Sequence, residues 1–144
     1  MAIFQKRADP MSATMALASA IDRGDQAEIA ACAKVVESLS AQQIFGSVGN
    51  LGQILSRHLT QERRELIRRE LAAADGPPEV QAAVRDIGES LLVNVNAQAA
   101  AAAVARHAKE IIPAGNNLWS GVIFETVAAT GRIVRVLGVK LNWK

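Results

Sequence analysis

The sequence predicts an all-α protein, and three observations carry that expectation. Half of the 144 residues are hydrophobic but only 3% are aromatic, with no tyrosine, so alanine and the aliphatic residues supply the apolar mass. Small and straight-chain residues of this kind favour closely packed helices. Apolar positions recur at helical spacing along most of the chain, and Ser/Thr/Asp followed three residues later by Glu or Gln opens several of those stretches. The expected architecture is a single bundle of five or six helices over residues 10–144, preceded by a tail over 1–9. One long alanine-rich helix is expected within it, with a short C-terminal β element as the alternative ending.

Asp9-Pro10 reads as an N-cap and first helical residue, opening a helix that Gly24 stops. Asp25 with Glu28 has capping-box spacing and opens a second helix to about Leu39, with Ile29, Cys32, Val36 and Leu39 on one face. Ser40 with Gln43 opens a third, whose stripe is Ile44, Val48, Leu51, Leu55 and Leu59. Thr60 caps a charged helix through Ala74, ended by Asp75-Gly76-Pro77-Pro78. From Pro78 the positions Val80, Val84, Ile87, Leu91 and Val95 continue into the alanine run up to Pro113. Unbroken, that helix would be about 50 Å long at 1.5 Å per residue. Val93-Asn94-Val95-Asn96 alternates like a strand, but alanine on both sides favours helix. Asn116 or Asn117 is expected to cap the last element, where Trp119, Ile123, Val127, Val134, Leu137 and Leu141 can share a face. Its β-branched residues and Thr130-Gly131 keep a hairpin open as the alternative.

Charge narrows the functional classes. Sixteen basic against 14 acidic residues give a net charge of +2 and a pI near 9.0, too small a surplus to imply nucleic acid by itself. A lone Cys32 cannot form an intrachain disulfide and reads as a small buried hydrophobe in a reducing compartment. Met11 to Ala20 faintly resembles a signal peptide, but Asp9, Pro10, Ser12 and Thr14 interrupt it. No uncharged apolar run reaches the ~18 residues a spanning helix needs, and a cytoplasmic location is the expectation.

Motifs for chemistry are few. Gly46, Gly49 and Gly52 match neither a dinucleotide fingerprint nor a P-loop, so they read as a packing face or loop. His58 and His107 have no partners at zinc-ligand spacing. No Gly-x-Ser-x-Gly elbow or Glu-x-x-His motif occurs. Hence no catalytic residue, metal or cofactor is expected, and the chain is not expected to be an enzyme.

Two clusters remain. Arg63, Arg64, Arg68 and Arg69 are the densest cationic group, interleaved with Glu62, Glu65 and Glu70 so that the stretch nets only +1. A salt-bridged helix face is the expectation; contact with nucleic acid or an acidic partner is the alternative. From Trp119 onward, both tryptophans (Trp119 and Trp143) join Phe124, Arg132, Arg135 and Lys140, making a candidate interaction surface. A mean hydropathy of +0.14 also suits helix–helix interfaces. The leading expectation is a non-catalytic interaction module or small structural subunit that self-associates or docks into a larger assembly. A nucleic-acid-associated subunit using helix 60–74 is the alternative. Peripheral membrane contact through the basic C-terminus is the third reading.

Overall fold

A computed structural model describes residues 10–39, 41–57 and 59–138, and among them the fold is all helical. Seven α-helices follow in order: α1 (Pro10–Arg23), α2 (Gln26–Glu37), α3 (Ala41–Ser56), α4 (Gln61–Ala72), α5 (Pro78–Gly88), α6 (Ala97–Ile111) and α7 (Asn116–Leu137). The count exceeds the expected five or six because the long helix from Pro78 is two helices. A π turn, Glu89–Val93, ends α5, and Val95 then adopts φ +48°.

The capping signatures act as local chemistry requires. The Asp25 side chain accepts the Glu28 N–H at 3.2 Å, and Thr60 Oγ1 accepts the Arg63 N–H at 3.2 Å. Each satisfies a donor that the first turn leaves without a partner. Gly24, with φ +70°, closes α1, while Pro10 is its first residue. Asp9 and Ser40, the caps expected for α1 and α3, lie outside the described residues. The start of α7 differs from expectation: Gly115 occupies its N-cap position, and neither Asn116 nor Asn117 caps it with a side chain.

The break after α5 has a packing cause. Gly52 is buried in α3 directly against the Leu91 carbonyl, and a Cβ at Gly52 would collide with that oxygen. At Gly49 a Cβ would sit 3.2 Å from Leu91 Cδ2. The glycines therefore let the π turn approach α3 backbone to backbone, and Leu91, Leu92 and Val93 are all buried there. All three are buried because α3, α4, α5 and α6 surround the turn. The Asn94 and Asn96 amides donate to the Glu89 and Ser90 carbonyls, both at 2.9 Å. Asn96 Oδ1 accepts the Ala99 N–H at 3.0 Å and restarts the chain as α6.

Helix α7 is the central element. Every residue from Thr126 to Gly131 is buried, so this stretch is enclosed on all sides rather than amphipathic. Among the residues of the expected face, Val127 is buried and Trp119, Ile123, Val134 and Leu137 are partly buried, while Leu141 lies outside the described residues. Thr126 and Thr130 donate their hydroxyls to the Val122 and Thr126 carbonyls at 2.7 and 2.8 Å. That removes the penalty of burying two hydroxyls in this β-branched stretch. Gly138, at φ +68°, terminates the helix. No hairpin forms in the segment, and the residues beyond 138 are outside the described ones.

Two apolar clusters meet on this frame. The larger joins α3 to α7 around residues such as Leu55, Ile67, Val84, Leu92 and Ile133. The smaller holds the α1–α2 hairpin onto α3 and α7 through Leu17, Val36, Ile44 and Val127.

Candidate functional site

Between the α1–α2 hairpin and the N-terminal half of α7 lies a cavity of about 580 Å³. Its walls come from three helices. Leu17, 1% exposed, forms the floor from α1. Ala33 and Val36 come from α2 and Leu39 from the residue after its C-cap Ser38; Gly121, Ile123 and Phe124 come from α7, with Ser120 as the polar group. Ala33 and Gly121 bring little side-chain volume to these walls. No charged side chain among the described residues lines it.

Candidate residues of the C-terminal segment are split between environments. Phe124 lines the groove, whereas Trp119 packs edge-on against Phe45 of α3, with ring centroids 6.0 Å apart. Arg132 ties α7 to the end of α4. Its Nε donates to Glu70 Oε1 and its second guanidinium nitrogen to the Glu70 carbonyl, each at 3.1 Å. Arg135 is exposed in the last turn of α7. Lys140 and Trp143 lie outside the described residues. Among the described residues, Phe124 lines the groove, while Trp119 and Arg132 join α7 to its neighbours.

The arginine helix divides similarly. Arg68 donates to Glu89 Oε1 at 2.6 Å and to Glu65 Oε1 at 2.9 Å, and hydrogen bonding to Glu89 foremost raises its pKa. Arg63 is half-buried, while Arg64 and Arg69 are exposed. One member of the quartet is thus engaged with two carboxylates, only one of which lies on its own helix.

A contact absent from the sequence expectations joins α5 to α6. His107, buried, places Nε2 at 2.8 Å from Asp86 Oδ2, and Arg106 approaches the same oxygen at 3.4 Å. The histidine also borders a 490 Å³ hollow with Glu79 and Glu110 at its edge. Among the described residues no group of three His, Cys, Asp or Glu side chains is disposed to hold a metal ion. Cys32 is partly buried, and burial, assisted by Glu28 and Asp25 and opposed by Arg23, raises its thiol pKa.

The groove residues Leu17, Ala33, Val36, Leu39 and Gly121 were not singled out as a site by sequence reasoning, because they assemble from three separated segments. The local signals were ordinary core periodicity and two small residues. His107 and Asp86 meet only because the chain reverses between α5 and α6. No described helix is long and apolar enough to cross a membrane. No family model, curated protein or solved structure matches the chain.

Proposed function

We propose that the protein is a non-catalytic helical interaction module, or small structural subunit, that receives an apolar helix of a partner in the α1–α2–α7 groove. The groove itself is the observation that supports this reading. Its apolar walls, drawn from α1, the end of α2 and α7, suit two or three aliphatic anchors at i, i+3 and i+4 spacing. Phe124 and Leu39 offer the broad apolar contact that interface centres use. Val35, next to Val36 in α2, is a large apolar residue that is 40% exposed.

Ser120 provides the test, being exposed and at the groove edge. Ser120→Glu leaves the core intact but introduces a charge that an apolar occupant would have to desolvate. Affinity capture from cells that produce the protein is expected to retain a stoichiometric helical partner with the wild type and lose it with Ser120→Glu. Circular dichroism should show equal helicity for both. Identical capture by the two forms would refute the groove as the binding site.

A further inference from the structure

A second surface, separate from that groove, bears an unusual charge pattern. Helix α3 has no charged residue from Ala41 to Ser56. Helix α6 has none from Ala97 to Ala105. With 21% of the chain charged, exposed helix faces of this length would ordinarily carry several charges. Here the exposed positions are uncharged: Gln42, Gln43, Gly46, Asn50, Gln53 and Ser56 on α3, together with Ala97, Gln98, Ala101, Ala102 and Ala105 on α6. Ile54, 45% exposed, continues the α3 side. A trough of about 380 Å³ runs between the two helices, with Phe45 and Leu91 in its lining and Gly46 and Ala101 on opposite walls. A Cβ at Gly46 would meet nothing within 4 Å. Unlike Gly49 and Gly52, this glycine therefore has no close neighbour within its own chain.

We infer that this face is a homodimer interface, in which α6 of a second copy lies in the α3–α6 trough. The occupant must be uncharged over about two turns, because a charged helix would be desolvated against a surface with no counter-charge. It must also carry small side chains where it crosses Gly46 and Ala101 if the backbones are to approach closely, since Phe45, Leu91 and Val104 already fill part of the trough. Helix α6 meets both conditions on its own exposed face. Two-fold symmetry then seats each α6 in the other copy's trough, so a single self-complementary patch closes the assembly. Burying alanine costs no side-chain entropy, which favours association through such a face. Ala101 is the midpoint of the uncharged stretch of α6 and so lies nearest the symmetry axis.

Sedimentation velocity over 1–100 µM, together with crosslinking, tests the assignment. The wild type is expected at twice the 15.3 kDa chain mass. Ala101→Glu, at an exposed position, is expected to remain helical and to weaken dimerisation at least tenfold. Ser120→Glu is expected to leave the dimer intact. In a Cys32→Ser background, Ala101→Cys should crosslink to itself with a short bismaleimide, whereas Ala27→Cys on α2 should not. Three results would overturn the proposal: a wild-type monomer throughout, a dimer unaffected by Ala101→Glu, or a dimer that Ala101→Cys fails to crosslink. A dimer sensitive to Ser120→Glu but not to Ala101→Glu would move self-association to the α1–α2–α7 groove. That result would refute this inference and leave the groove reading standing.

Discussion

Gly52 shows how one absent side chain shapes the fold. Alanine is about 1 kcal/mol better than glycine inside a helix, yet at position 52 a methyl would strike the Leu91 backbone carbonyl, which cannot swing aside. Gly52→Ala is therefore expected to destabilise the protein by about 2–3 kcal/mol through overpacking. Gly46→Ala, in the Ala101→Glu background, should instead stabilise by up to about 1 kcal/mol. Chemical denaturation of the two variants gives both values, and a destabilisation at position 46 matching that at 52 would contradict the packing account. Cys32 offers a second test at this scale. Burial disfavours its thiolate, with Glu28 and Asp25 acting in the same direction. Alkylation by iodoacetamide should accordingly be slower than for a free thiol at neutral pH, with its pH midpoint displaced upward. Because the raised pKa means that the folded state holds the proton longer, any linked stability is fully present below the unfolded thiol's pKa and is lost as pH rises through the raised folded one. A midpoint at or below that of a model thiol would show that the burial is not felt.

At the level of elements, the sequence reveals helices wherever the deciding residues are neighbours. Asp25 with Glu28 and Thr60 with Arg63 lie three residues apart, so their caps are visible in the chain itself. The buried stripe Ile44, Val48, Leu51 and Leu55 of α3 is legible for the same reason. Leu59, expected to continue it, lies past the helix end but still packs on the larger core. The break between α5 and α6 is different, because α3 decides it: the π turn forms where Leu91 meets Gly52, far away in sequence. Local propensity, set by the alanines, favours continuous helix there, and tertiary packing overrides it. The groove was illegible for a related reason, since its three walls share no local pattern. The override has a measurable cost. Val95, β-branched, holds φ +48°, a conformation that costs an L-residue about 1–2 kcal/mol. Asparagine visits this region more readily, and Val95 is only half-buried. Val95→Asn is expected to raise stability by about 0.5–1 kcal/mol in urea titration. A loss of more than about 1 kcal/mol would mean that the Val95 side chain contributes more than its backbone costs.

Across the whole molecule, charge is distributed unevenly. The outer faces of α3 and the first part of α6 carry none, while α4 concentrates arginine and glutamate. What matters for an anionic partner is how many of those arginines are available. Arg68 is held by Glu65 and Glu89, and on α7 Arg132 is held by Glu70; each arginine would have to leave its own carboxylate partners before it could meet a phosphate. Arg64 and Arg69 are the exposed members of the quartet, with Glu62 and Glu65 close by in sequence to repel a polyanion. Each phosphate neutralised contributes about 0.9 to the salt slope on duplex DNA. Two available arginines therefore limit log K against log salt to a slope of about 2. Binding to duplex DNA at 150 mM salt is expected to be weaker than roughly 100 µM, the weak end of non-specific association. Arg64→Gln with Arg69→Gln should remove what remains, and Arg68→Gln should change it little. A slope near 4, or a large loss on replacing Arg68, would show that the ion pairs open for phosphate. The charged helix would then be an anion-binding face, and the nucleic-acid reading would displace the interaction module.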